Sequence, residues 1–145
     1  MGALTEELKE FLDANTVGVL ATLSPDGRSR QSLVYFARDD QRLLISTLAD
    51  RLKSRDVLRS GWASLCVMGH EPPYPSATFS GPAEIRTKDI GGPTAMIAQR
   101  ITRADQPPEP MSDEALAEVG RVVLALTIDR VTAASHINIR EQKDR

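Results

Sequence analysis

Leu44-Ile-Ser-Thr-Leu-Ala-Asp-Arg-Leu-Lys-Ser-Arg55 runs from an apolar, strand-like stretch straight into a short basic helix. How often the rest of the chain repeats that strand-to-helix step decides between a doubly wound α/β sheet and a β-barrel. Leu43, Leu44 and Ile45 carry the strand, which ends on Ser46 and Thr47. Asp50 is expected to cap a helix over residues 51–59, its carboxylate accepting first-turn N–H groups. The charges that follow go against the usual preference. A helix start carries about half a positive charge and attracts Asp or Glu, yet Arg51, Lys53 and Arg55 stand in the first turn and a half. Each cation there costs about 0.3–1 kcal/mol unless an anion joins it. Two readings stay open: a phosphate cradle of N–H groups, hydroxyls and cations, or a surface helix whose arginines are solvated.

Upstream, Thr5 can cap a helix that carries Glu6 and Glu7 in its first turn. Leu4, Leu8, Phe11 and Leu12 share one face of it, and Asn15 ends it. Val17–Leu23 alternates as a strand. Ser24-Pro-Asp-Gly27 is a turn in which Pro25 presets φ and Gly27 accepts a positive one. A second strand from Arg30 to Ala37 completes a hairpin, and a turn at Asp39-Asp40-Gln41 leads into the strand over 42–47, so a three-stranded meander is expected. Downstream, Trp62–Met68 is apolar on both faces, as in a central strand. Ala77, Phe79, Gly81, Ala83 and Ile85 alternate with polar residues, and Pro82 among them marks an edge or bulge. Gly91-Gly92 reads as a turn before a helix in which Pro93 suits the first position and Met96, Ile97 and Ile101 share a side. Ser112 caps a short helix with Leu116 and Val119 inward and Gly120 as its stop. Val122–Ile128 is the sixth strand. A parallel α/β sheet would need a helix between nearly every pair of strands, and the sequence does not offer them. The expectation is one mainly β domain over 1–137, a six-stranded antiparallel barrel that removes sheet edges, followed by a charged, frayed tail over 138–145.

The net charge is −2 and aromatics make up 4% of the 145 residues. That argues against a nucleic-acid partner, which needs a cationic field or stacking platforms, and a local basic patch in an acidic chain points to a small anionic ligand. No run approaches the roughly 18 apolar residues of a membrane span, and residues 1–15 lack signal-peptide character, so a soluble, cytoplasmic protein without a membrane partner is expected. Cys66 stands alone and reads as a buried strand thiol. His70 and His136 have no ligand-type spacing, so no metal is expected. No nucleophile elbow, phosphate-binding loop or dinucleotide fingerprint is present. The pairs Glu6-Glu7, Asp39-Asp40 and Asp113-Glu114 are explained by capping and turns. Chemistry is therefore expected from a bound cofactor that the protein positions. Arg30 and Ser32 share one face of the second strand, Gln31 and Leu33 the other. A phosphorylated ring cofactor could set its phosphate on Arg51, Lys53 and Arg55 and its ring edge along the second and third strands. Gln31 and Ser32 are otherwise ordinary strand polarity.

Gly18-Val-Leu-Ala-Thr-Leu23, Pro25-Asp-Gly27, Leu43-Leu-Ile-Ser46, Arg51-Leu-Lys-Ser-Arg55 and Ala63-Ser-Leu65, in that order, resemble the split β-barrel oxidoreductases related to pyridoxamine 5′-phosphate oxidase. Within them the chain is most similar to the actinobacterial branch that uses the deazaflavin coenzyme F420 in place of FMN. The likeness covers roughly residues 5–135. It implies a homodimer with cofactors in grooves between the subunits. The phosphate would meet Arg51, Lys53 and Arg55, with the end-of-strand hydroxyls of Ser46 and Thr47 joining. Gln31 and Ser32 would flank the ring, and the partner would contribute from 74–80 or the last strand. The implied activity is hydride transfer from reduced F420 to a small conjugated organic acceptor, with no catalytic side chain assigned. The alternatives are an FMN flavoprotein of the same fold and a non-enzymatic cofactor or tetrapyrrole carrier. The chain departs from a true pyridoxamine phosphate oxidase in lacking its C-terminal arginine and histidine pattern. The apolar Trp62, Met68 and Phe79 are candidates for the subunit contact.

Overall fold

The computed structural model describes residues 4–137; the tail expected over 138–145 lies outside them. Helix α1 (Glu6–Asp13) starts as the sequence predicts, the Leu8 N–H donating to Thr5 Oγ1 at 3.2 Å. It ends with Asn15 Nδ2 donating to the Phe11 carbonyl at 2.7 Å. Strands β1 (Val17–Leu23) and β2 (Ser29–Tyr35) form the expected antiparallel hairpin, closed by a turn in which Gly27 adopts φ +83°.

The meander does not continue. The chain breaks at Phe36, whose side chain is wholly buried, and Ala37–Asp39 forms a separate strand β3 that pairs with β4 (Arg42–Leu48). On its other edge β4 pairs antiparallel with β7 (Arg121–Thr127), Ile45 facing Leu124. Helix α2 (Leu52–Ser60) then leads to β5 (Trp62–Met68), which lies between β1 and β6 (Ser76–Arg86). The sheet order is β2-β1-β5-β6-β7-β4-β3, and β8 (Arg130–Ser135) adds to β6. All pairings are antiparallel. The architecture is the split barrel that the sequence leads one to expect, with eight strands among the described residues where the sequence suggests six. The short β3 and the sparsely apolar β8 carry too little periodicity to be read from sequence.

The long strand β6 joins the two halves. Ser76–Pro82 pairs with β5, and Ala83–Arg86 pairs with β7. Pro82, which has no N–H to give a ladder, sits at that handover. Leu20, Phe36, Leu43, Ile45, Leu65, Phe79 and Leu124 fill the interior, covered at one end by Leu8 and Leu12 of α1. Outside the β4–β7 wall, α3 (Gly91–Thr102) and α4 (Asp113–Glu118) bury a second cluster that includes Leu44, Ile97, Leu116 and Val123. Both faces of that wall are therefore dry, which is why Val122–Leu126 reads as an unbroken apolar run.

Several local expectations are corrected. Cys66 is exposed, on the outer face of β5, because that face is uncovered in the single chain. Phe79 is core, whereas Met68 is 55% exposed. Val119 points outward. Helix α3 begins at Gly91, so Gly91-Gly92 is its first turn, not a separate one. Nothing lies within 4 Å of where a Cβ at Gly92 would sit. Gly92→Ala is therefore expected to raise stability by about 0.5–1 kcal/mol, by removing unfolded-state freedom, and thermal denaturation checks it. Among the described residues no helix is long and apolar enough to cross a membrane.

Candidate functional site

The site is built around the start of helix α2. The N-cap of this helix is Arg51, not Asp50, and no side chain caps it. The Arg51 carbonyl accepts from the N–H groups of Ser54 (3.1 Å) and Arg55 (3.2 Å), so the helix starts one residue later than Asp50 would allow. First-turn N–H groups need partners, and no capping side chain supplies one here. The helix is tied to the preceding strand by Ser54 Oγ, which donates to the Leu48 carbonyl at 2.8 Å.

A groove of about 280 Å³ opens beside this uncapped end, lined by Thr22, Arg30, Gln31, Ser32, Arg51, Leu52 and Lys53. Strand β1 provides the threonine, edge strand β2 the next three residues, and the α2 start the rest. Four of the residues expected at a cofactor site, Gln31, Ser32, Arg51 and Lys53, thus meet in one place. Arg55 is exposed and not among the lining residues. Thr47 is buried and Ser46 half-buried on β4, and neither lines the groove. Among the described residues Arg51 and Lys53 form no ion pair with the protein. Two cations without an ion-pair partner, beside first-turn N–H groups that no side chain caps, leave this end of the groove electropositive.

Sequence reasoning missed the buried carboxylate behind this groove that holds two of its lining residues, Thr22 and Arg30. Asp56 of α2 is 1% exposed, and its Oδ2 accepts from Thr22 Oγ1 (2.9 Å) and Arg30 Nε (2.9 Å). Its Oδ1 accepts from Arg30 Nη2 (3.3 Å) and Arg59 Nη2 (3.2 Å). Arg59 Nη2 also donates to the Leu23 carbonyl. Burial pushes the Asp56 carboxyl up, but the hydrogen bonds from Arg30, Thr22 and Arg59 outweigh it and hold the group below its ordinary value. The hydrogen bond to Asp56 likewise holds the Arg30 guanidinium above its usual range. One carboxylate against two guanidiniums leaves the node positive. The only sequence signal for it was Asp56 at a position that helical periodicity turns inward, since its partners on β1 and β2 are far away in the chain.

Among the described residues, two further grooves share no lining residue with this one. One of about 390 Å³ holds Arg38, Arg100 and Arg103, but Arg38 is paired twice to Asp13 (2.8 and 2.7 Å). Arg100 is tied to the carbonyls of Phe36 (3.1 Å), Asp13 (3.3 Å) and Asn15. The other, about 540 Å³, brings His70 and His136 together with Glu71, Phe11 and three prolines. Among the described residues no group of three or more His, Cys, Asp or Glu could hold a metal ion.

Residues 4–134 match the family model described as pyridoxamine 5′-phosphate oxidase. Among solved structures, an F420 reductase is similar at 24% identity and a TM-score of 0.70, over 89% of this chain and 98% of that one. A conserved hypothetical protein from Mycobacterium tuberculosis is similar at 22% identity and a TM-score of 0.70, over 88% and 82%. The heme storage protein HutZ from Vibrio cholerae is similar at 17% identity and a TM-score of 0.63, over 92% and 96%. At these identities the likeness is one of fold. No protein in the curated comparison matches.

Proposed function

The chain belongs to the pyridoxamine 5′-phosphate oxidase family, and from that premise we propose that it is a cytoplasmic, homodimeric oxidoreductase that binds coenzyme F420. The observation that carries this reading is the groove at the uncapped start of α2, where Arg51 and Lys53 have no counter-ion among the described residues and Arg30 stands beside them. Those residues fit the phosphate-bearing tail of such a coenzyme. Gln31 and Ser32 would meet the polar edge of the ring, and half-exposed Leu52 its apolar face. The bound reduced coenzyme would supply a hydride to a small conjugated organic acceptor, and the protein's own part is to hold the tail, orient the ring and exclude water. Arg55, Ser46 and Thr47 would act as outer contributors to the phosphate end.

At about 280 Å³ the groove is at the lower end of the roughly 300–1,000 Å³ of small-molecule sites, and one side of it is open to solvent. A second subunit would supply the missing wall. The outer face of the β2-β1-β5 sheet supports this, because Leu33 (75% exposed), Tyr35 (47%) and Met68 (55%) lie bare there. Leu33 faces Val19, which faces Cys66, and Tyr35 faces Val17. A continuous apolar row of this kind is unusual on a monomer, and a copy of the same face would cover it.

Side-by-side spectroscopic titration with oxidised F420 and FMN tests the cofactor, and light scattering tests the assembly. Tighter F420 binding by a particle of twice 15.9 kDa is the expected result. Preferential uptake of FMN would assign the flavoprotein alternative. Tight binding without turnover of enones or quinones would assign a carrier. A clean monomer would overturn the shared groove.

A further inference from the structure

We propose that Asp56 is a positioning residue, which holds the Arg30 guanidinium so that its free edge grips the phosphate ester of the ligand; this rests on the cofactor reading of the groove. A buried carboxylate such as Asp56 must have its charge and its lone pairs satisfied. Arg59 supplies the charge at Oδ1, and the Thr22 hydroxyl supplies a donor at Oδ2. A second guanidinium is then surplus as far as neutralising Asp56 goes, yet Arg30 is placed there with two bonds.

Arginine carries five N–H donors in a rigid fork. Two of them, on the Nε–Nη2 side, are spent on Asp56, which leaves three on the remaining edges. Among the described residues nothing in the protein takes them. The side chain is 37% exposed and lines the same groove as Arg51 and Lys53. A guanidinium oriented by a carboxylate on one edge and open on another is prepared for bidentate contact with phosphate oxygens, a geometry lysine cannot reproduce. Orientation by a buried partner also lowers the entropy lost on binding. The ligand class assigned to this edge is a phosphate monoester or diester.

The test separates grip on phosphate from support of the fold. Two pairs of ligands are titrated by fluorescence: FMN against riboflavin, and F420 against its dephosphorylated deazaflavin riboside. Arg30→Lys and Asp56→Asn are each expected to reduce the preference for the phosphorylated member about tenfold, the worth of one charge-assisted bond, the unphosphorylated member being weakened far less. Thr22→Val, which removes one donor to Asp56 and keeps the charges, should lower the preference by a smaller factor. If Asp56→Asn does not fold, Arg30→Lys and Thr22→Val carry the test. A preference that stays at the wild-type value in the variants, or equal weakening of both members, overturns this role while leaving the cofactor proposal standing. Wild-type protein with no preference for phosphorylated ligands overturns both.

Discussion

The double variant Arg51→Ala/Lys53→Ala is expected to bind its phosphorylated cofactor at least a hundredfold more weakly than the wild type while becoming slightly more stable. The loss follows from charge. Each side chain offers a charge-assisted contact worth about 1.5–3 kcal/mol, and neither is neutralised by the protein among the described residues. Exposure of Arg51 and screening trim that figure, so the lower end is taken for both. The gain in stability comes from the same placement. Two cations at the positive end of α2 cost about 0.3–1 kcal/mol each in the absence of ligand, and removing them relieves that cost. A site built against its own helix dipole should thus show weaker binding together with a higher Tm. Isothermal titration beside a thermal melt reads both quantities. Unchanged affinity would mean that the groove serves no phosphate. A lower Tm would mean that the cations have protein partners after all.

What could be read from the sequence was whatever depends on near neighbours. Thr5 and Ser112 cap their helices, donated to by Leu8 and Ala115, and Ser24–Gly27 turns the chain with the Gly27 N–H on the Ser24 carbonyl at 2.9 Å. Each of these is decided within four residues. The meander failed because successive strands were assumed to pair, which holds only about two-thirds of the time. Leu43–Thr47 instead finds Val122–Leu126, 75 to 83 residues further along the chain. The reading of Cys66 failed for a related reason. An apolar run on both faces of β5 signals burial on both faces, but one of those faces is bare in the single chain.

The same division runs through the candidate site. The cation pattern at Arg51 and Lys53 violates a local rule and so stands out in the bare sequence. Asp56 violates none. It is an ordinary helical aspartate until folding brings Thr22, 34 residues away, and Arg30, 26 residues away, onto its two oxygens. Asp50 misled because it has the chemistry of a cap at a plausible position, whereas the backbone turns helical only after Arg51. An uncapped start is a negative feature that a sequence rich in good caps conceals.

Gly81→Ala is the substitution expected to cost the fold most. A Cβ at residue 81 would lie 2.0 Å from the Thr127 carbonyl oxygen and 3.1 Å from the Asp129 nitrogen, and backbone cannot swing aside as a long side chain can. Thr127 is held by its register with Arg42. The next two residues are fixed as well, Ile128 donating to the Gln41 carbonyl (2.9 Å) and Asp129 to the Ser80 carbonyl (3.1 Å). Relief therefore requires moving β6 or β7 at the point where β6 passes from one half of the barrel to the other. Overpacking of this kind costs about 1–3 kcal/mol and sometimes more; with backbone on both sides of the clash the upper end applies, about 10 °C in Tm for a chain of this length. The cofactor groove draws its residues from β1, β2 and the start of α2, none of which pairs with β7. The folded fraction of Gly81→Ala should consequently bind ligand with wild-type affinity, the reverse of the Arg51→Ala/Lys53→Ala pattern. A melt within a degree or two of wild type would show that the joint between the halves has slack, and a parallel loss of affinity would show that strain at the joint reaches the groove.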